Sequence, residues 1–404
     1  MLNNIFNIKK RIVIKIGSSL LVRNGEFATK WLTSLSYDIA NIQNANNHKI
    51  ELVIITSGAV ALGREYLIGN FGQNTNLSLS QKQAAAAIGQ IQLMSNYHNI
   101  FNDNGLKVAQ ILLTANDCNE RQSYKNAINT ITTLINHQFI PIINENDSVA
   151  VAEIKIGDND RLAARVAQMI EADLLILFSD IDGLYSSNPR ENINADFVKI
   201  VTKIDDKIES MAGNRGSDVG TGGMKTKIMA AKIANSSGCD VIITSGVEEN
   251  CLSKLSISRF INNISDYNFQ EIDIANNSDK KFTLFQSRKF VNKSRKISRT
   301  KKNWLTGLIN LSCNIIINKC AVEAIKTKKN SLLPIGVIAV NGIFKAGEAI
   351  AILDNDGRHI GNGIVNYDSY EIKKILSQKT GDINKILGKV GKDEIINLEY
   401  LAIF

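Results

Sequence analysis

Residues 214–227, NRGSDVGTGGMKTK, set four glycines, Gly216, Gly220, Gly222 and Gly223, ahead of Lys225 and Lys227. Glycine-rich backbone running into a helix start presents unpaired N–H groups, and the lysines add positive charge. The chemistry on offer is the gripping of phosphate; the alternative is a plain connection. Neither common phosphate template fits. No register gives G-x-x-x-x-G-K-[ST], and Gly220-Thr221-Gly222 is followed by Lys225 where G-x-G-x-x-G requires its third glycine. A second cation, Lys15, interrupts the apolar run RIVIKIG at 11–17. It marks an edge strand, snorkels, or is a cation held rigidly at a strand end against phosphate oxygens. A third group, Asp158, Asn159 and Asp160 in GDNDRLAAR, precedes or opens a helical segment. Such residues cap helices, and they also orient lysines or hold Mg2+ through water. The histidines, His48, His98, His137 and His359, show no metal-ligand spacing, so the chemistry has to proceed without a zinc site or an obvious histidine base.

The elements that must position these groups alternate. RIVIKIG (11–17), IELVIITS (50–57), KVAQILLT (107–114), FIPIINEND (139–147), DLLILFSD (173–180) and CDVIITSG (239–246) are short, β-branched and apolar, which predicts buried strands. Between them lie helical segments at about 29–46, from a capping box at Ser80 and Gln83 through AAAAIGQIQLMSNYHNIF, and over 123–137, DRLAARVAQMIEA and 223–237. Strand–helix alternation with apolar strands predicts an α/β fold, a mostly parallel sheet sandwiched by helices. Ligands in such sheets bind outside the carboxyl ends of the strands. Here those ends carry Gly17-Ser18-Ser19, Ser57-Gly58-Ala59, Asn144-Glu145-Asn146-Asp147 and Ser179-Asp180 with Gly183 behind, which predicts a site along one sheet edge.

Beyond residue 280 the texture changes to short strands with frequent turn signals, NGIFKAGE and LDNDGRHIGNG, the pattern of a small β-rich domain. The division expected is 1–265, a basic linker at 266–302, a β-rich domain at 303–385 and a tail at 386–404. Between Lys280 and Lys302 the chain has ten Lys or Arg and no acid, a solvated linker with a flanking strand or a footprint for a polyanion such as RNA. The 404 residues carry a formal charge of +8, and the longest apolar runs fall short of a membrane span. Five scattered cysteines without a CxxC pair, and an N-terminus without a secretory pattern, predict free thiols and a cytoplasmic location.

VIKIGSS, VIITSGAVALGRE, INENDSVAVAEIKIGDNDRLAARVA, SDIDGLY and GTGGMKTKIMAAKIA occur in the order seen in the amino acid kinase family, and the chain resembles that family over almost its whole length. SLLPIGVIAVNGIFKAGEAIAI is similar to a PUA domain. Among the family's acceptors, which include N-acetylglutamate, aspartate, carbamate and uridylate, the INENDSVA and GDNDRL pair with a PUA-like tail favours free L-glutamate. The resemblance implies transfer of the γ-phosphoryl group of ATP, with Mg2+, to the γ-carboxylate of L-glutamate, the first step of proline synthesis. It further implies a homo-oligomer, dimer or tetramer, and proline as a feedback inhibitor. RNA binding by the PUA-like domain stays open as an added activity.

Carried onto this sequence, the resemblance makes Lys15 an ATP-contacting lysine and Lys15 with Lys227 the catalytic pair, oriented by Asp160. Ser57, Asp147 and Asn159 match the glutamate-binding residues: Asp147 toward the ammonium, Ser57 and Asn159 toward carboxylate oxygens. Ser179 and Asp180 match a nucleotide-binding pair that is often Thr-Asp, with the hydroxyl kept. Thr221, Gly222, Gly223, Met224, Lys225, Thr226 and Lys227 match the nucleotide-binding glycine loop. Lys225 stands where a small polar residue is common and inherits no role.

Overall fold

The apolar runs assemble as strands, and the helical segments cover them. The protein is represented by a computed structural model that describes residues 10–23, 25–45, 50–71, 77–149, 159–212, 223–255, 280–287, 304–306, 308, 311–327, 330–378, 380–388 and 391–403. Asp158, Thr221, Gly222, the glycines Gly216 and Gly220 and most of the 266–302 stretch lie outside the described residues. The chain divides into two units, Met1–Lys289 and Phe290–Phe404. All five cysteines are free thiols. Among the described residues no helix is long and apolar enough to cross a membrane.

In the first unit the described strands of the main sheet are β1 (Lys10–Ile16), β2 (Ile50–Ile55), β3 (Lys107–Leu113), β4 (Phe139–Glu145), β5 (Leu174–Ser179), β6 (Ile200–Val201), β7 (Asp240–Ser245) and β8 (Phe282–Phe285). They run in the order β6-β8-β7-β5-β1-β2-β4-β3. Every pairing from β7 across to β3 is parallel, while β8 runs antiparallel to β7 and parallel to β6. β8 falls inside the basic stretch, where its FTLF run completes the sheet rather than standing apart in a linker. All six residues of β2 and of β5 are buried, as strands covered on both faces require. The helices are α1 (Thr29–Ala45), α2 (Ala59–Phe71), α3 (Leu79–Asp103), α4 (Arg121–Asn136), α5 (Asn159–Met169) and α6 (Met224–Ser236).

The capping box of α3 lies one turn-fraction earlier than the sequence pattern predicts. Ser78, not Ser80, is the cap: its Oγ accepts from Gln81 N at 3.3 Å, and Gln81 Oε1 accepts from Ser78 N at 2.9 Å. Serines at 78 and 80 precede glutamines at 81 and 83 with the same spacing, so local sequence alone offers both registers.

α2 and α3 cross at a glycine-on-glycine contact. A Cβ on Gly63 would sit 1.9 Å from the Ala85 carbonyl oxygen, and one on Gly89 would sit 1.9 Å from that of Ala59. Only glycine permits this approach, and it fixes the start of α2 beside the carboxyl end of β2. Gly63→Ala therefore forces the helices apart; the expected loss is about 3 kcal/mol of unfolding free energy, read by urea titration. An unchanged midpoint would show that the two helices separate freely.

The second unit carries a five-stranded sheet of β9 (Asn314–Ile317), β10 (Val337–Asn341), β11 (Ala349–Leu353), β12 (His359–Ile364) and β13 (Leu401–Ile403), in the order β10-β9-β11-β12-β13. Ile315, Ile317, Ile350 and Ile352 meet Ile372 and Ile375 of a helix at Ser369–Ile375 in its core. An earlier helix, Lys319–Lys326, is too short to register as a sequence pattern, yet Ala321 and Ile325 bury one face of it.

Candidate active site

The carboxyl ends of β1, β2, β4 and β5 bring the predicted groups to one edge of the sheet, and the register decides what meets there. Lys15 is the penultimate residue of β1, paired with Ile55 on one side and Leu177 on the other. Strand alternation turns its side chain to the face covered by α5, which packs against β1 and α6. Asp160, in the first turn of α5, is fully buried there. Its Oδ1 lies 2.6 Å from Lys15 Nζ and its Oδ2 lies 3.2 Å from Lys227 Nζ. Lys227 sits in the first turn of α6 and is 3 % exposed, so both ammonium groups are held out of bulk water by one carboxylate. Thr226 Oγ1 adds a longer contact to Asp160 Oδ2, 3.3 Å, and donates to Gly223 O at 2.8 Å.

Burial alone would push the Asp160 carboxyl up. The Lys15 and Lys227 charges outweigh burial and hold it down to about 2. The cluster is thus one permanent anion between two cations, with a charge surplus of +1 facing the sheet edge. Uncapped backbone N–H groups reinforce that sign. Gly223 precedes α6 and Gly17 precedes the single turn Ser18–Leu21, and neither start has a side-chain cap or an acidic residue in its first turn. The arrangement attracts an anion and leaves room beside Lys15, where a Cβ on Gly17 would find Nζ at 3.8 Å.

Next to this cluster lies a polar relay. Asn159 Nδ2 donates to Ser57 Oγ at 2.6 Å, to Thr56 O at 2.8 Å and to Asn144 Oδ1 at 3.1 Å. Its Oδ1, buried, has no hydrogen-bond partner among the described residues. With the amide hydrogens committed, the free end of Asn159 is an acceptor, suited to an ammonium rather than to carboxylate oxygens. Ser57 Oγ accepts from Asn159 and so keeps its own hydrogen to donate. Thr56 Oγ1 is in turn 3.0 Å from Tyr97 OH, a pair wholly inside the core.

Asp147 lies in the turn after β4, on a cavity of about 170 Å³ lined also by Ala59, Gln90, Glu145 and Asn146. Ser179 and Asp180 close β5: Ser179 Oγ donates to Asp180 Oδ1 at 3.0 Å, and Arg190 reaches Asp180 Oδ2 at 3.2 Å. Partial burial opposes ionisation of Asp180, but these bonds hold its carboxyl below the usual range. Lys225 is exposed on α6, about 200° around the helix from Lys227. A larger cavity, about 370 Å³, opens at the opposite sheet edge between the amino ends of β2, β3 and β4, away from every one of these groups.

Sequence reasoning gave Asn144 no role, and it missed Gln90 and Tyr97. A signal for Gln90 exists: it lies on the α3 stripe of Ala86, Leu93 and Tyr97, where a polar residue is out of pattern.

A model of the amino acid kinase family matches residues 10–245, and one of the PUA domain matches residues 314–387. The chain is 41 % identical over 396 residues to a glutamate 5-kinase of Brucella abortus (strain S19), covering 98 % of this chain and 96 % of that one. A glutamate 5-kinase of Brucella ovis (strain ATCC 25840 / 63/290 / NCTC 10512) matches with the same identity and coverage. Among solved structures, UMP kinase from Ureaplasma parvum aligns at a TM-score of 0.43 and 16 % identity, over 69 % of this chain and 99 % of that one.

Proposed function

The chain belongs to the amino acid kinase family, and within it to the glutamate 5-kinases, and on that premise we propose that it transfers the γ-phosphoryl group of ATP to the γ-carboxylate of L-glutamate. The observation that carries the reading is the Lys15–Asp160–Lys227 cluster at the carboxyl edge of the sheet. A γ-carboxylate is ionised at neutral pH, with an ordinary pKa of about 4.3, so no general base has to remove a proton. The obstacle is repulsion between an anionic nucleophile and an anionic phosphate. What the protein supplies is alignment and fixed positive charge.

Each residue then has a task that follows from its chemistry and its place at the sheet edge. Lys15 and Lys227 neutralise the transferring phosphoryl group, and Asp160 keeps the two ammonium groups at their posts without letting them repel each other apart. Backbone N–H groups from Gly223 to Thr226 take nucleotide phosphate oxygens at the start of α6. Ser179 and Asp180 face the nucleotide. Ser57 donates its hydroxyl hydrogen to a carboxylate oxygen of the acceptor, while Asp147 and Asn159 Oδ1 accept from its ammonium. Asp160 is already taken by two lysines, so Mg2+ is read as arriving on the ATP phosphates as part of the substrate, adding its charge there. The product is an acyl phosphate, which opens proline synthesis.

The test is ATP- and Mg2+-dependent formation of glutamyl hydroxamate from L-glutamate and hydroxylamine, with ADP release compared across L-glutamate, N-acetylglutamate, aspartate, carbamate and uridylate as acceptors. Turnover with L-glutamate at least about a hundredfold above every other acceptor supports the reading; preference for another acceptor replaces it. Adding proline to the same assay tests whether it inhibits. Within this reaction Asp147→Ala raises the KM for glutamate by about tenfold or more with little change in the KM for ATP. An unchanged glutamate KM removes Asp147 from the site.

A further inference from the structure

Gln90 is pinned from one side only. Asn144 Oδ1 accepts from Glu145 N at 2.9 Å and from Asn159 Nδ2 at 3.1 Å, which fixes the oxygen end of that amide. Asn144 Nδ2 therefore points the other way and donates to Gln90 Oε1 at 2.8 Å. The orientation of the Gln90 amide follows: its oxygen is spent on Asn144 and its Nε2 is the loose end of the relay. Among the described residues that nitrogen makes no hydrogen bond, and it is shielded from solvent. A buried donor without an acceptor is costly, and an apolar residue of similar size would sit on this helix face without the cost.

The side chain that carries this donor lines the same cavity of about 170 Å³ as Asp147 and Ala59. α2 starts at Ala59, so its first-turn N–H groups stand on the same side as further donors. Asp147 supplies negative charge and Gln90 a hydrogen-bond donor. A ligand group bearing both an ammonium and a carboxylate on one carbon fits that pairing, and the α-carbon of an amino acid is such a group.

We propose that Gln90 is a specificity-determining residue whose Nε2 donates to the α-carboxylate of the acceptor amino acid. This rests on the reading of L-glutamate as acceptor. The Ser57–Asn159–Asn144–Gln90 relay then spans the substrate, with its first member near the reacting end and its last at the α-carboxylate. Asn159 and Asn144 hold the two ends in fixed register, so the length of the acceptor is measured along a rigid hydrogen-bonded rule.

The decisive variant is Gln90→Glu, which keeps an oxygen to accept from Asn144 and replaces the donor with a second oxygen. The hydroxamate assay is run on wild type and variant with L-glutamate and with 4-aminobutanoate, which has the reacting carboxylate but no α-carboxylate. The expected result is a glutamate KM raised about ten- to a hundredfold, with kcat and the KM for ATP within about threefold of wild type. For 4-aminobutanoate, a poor acceptor in wild type, kcat/KM changes less than about twofold, because the contact is absent from the start. A glutamate KM within about twofold of wild type, or an equal loss with both acceptors, overturns the assignment. If Gln90→Glu does not fold, Gln90→Met is judged by the same criteria. Wild type that fails to use L-glutamate refutes the acceptor reading itself; active wild type with an unshifted variant refutes Gln90 alone.

Discussion

Lys227→Ala lowers kcat by about three orders of magnitude while the KM for glutamate stays within about twofold. The expectation follows from where the ammonium sits. Lys227 Nζ is buried and fixed by Asp160, so its charge is already in place when negative charge has to pass between nucleophile and leaving group. Removing it takes away stabilisation realised at the phosphoryl group, whereas the glutamate contacts proposed for Ser57, Asp147 and Asn159 remain. Lys227→Arg does not rescue, because a planar guanidinium in a 3 %-exposed niche cannot reproduce a compact point charge. Steady-state hydroxamate kinetics separate the two constants. A near-normal kcat in Lys227→Ala would remove this lysine from the transfer step.

The second large effect is at Asp160. Asp160→Asn keeps the shape of the side chain and deletes the charge that two buried ammonium groups share. Both lysines are then left to repel each other in a dry site, and breaking a buried ion pair from one side costs about 3–5 kcal/mol. We expect kcat to fall by about two to three orders of magnitude, since the lysines lose their posts. The effect on stability has a pH signature. Asp160 in the folded chain ionises at about 2, below its ordinary value of 3.8, so its contribution is complete above the unfolded value and disappears as pH falls through the folded one. That ionisation accounts for about 2 kcal/mol of stability at neutral pH. The urea-unfolding gap between wild type and Asp160→Asn is therefore flat from about pH 8 to about pH 5 and shrinks from about pH 4 toward pH 2. A gap that ignores pH below that point would mean that Asp160 is not the ionised partner of the lysines.

Much of this site is legible in the sequence. A lysine inside an apolar strand, a carboxylate at a helix start and a glycine loop ahead of a helix are local patterns, and the parallel sheet brings strand ends together by topology alone. Lys15, Asp160 and Lys227 therefore meet where the alternation of elements predicts a shared edge. What local pattern does not carry is the partner of each polar atom. Asn159 was expected to offer its amide to carboxylate oxygens, but Thr56, Ser57 and Asn144 claim those hydrogens, and that depends on the register of two strand ends and a helix. Gln90 is equally silent, because its role arises from a carbonyl fixed by Asn144, 54 residues away. β8 is legible only as a strand flanking a linker: a run of four residues among cations does not say which strands it joins, and pairing with β7 and β6 is what places it in the main sheet. Lys225, exposed on the outer side of α6, has no contact among the described residues that explains it.

The central claim is direct transfer of phosphoryl to the γ-carboxylate of glutamate, without water as an intermediary. L-Glutamate labelled with 18O at both γ-carboxylate oxygens, incubated with ATP, Mg2+ and hydroxylamine, tests it. Transfer makes one labelled oxygen the bridge of the acyl phosphate. Hydroxylamine then attacks the carbonyl carbon and expels phosphate carrying that oxygen, while the other stays in the hydroxamate. The account predicts one 18O in each phosphate released with hydroxamate. Phosphate that carries no label would mean that ATP is cleaved by water or that another group is the nucleophile, and would contradict it.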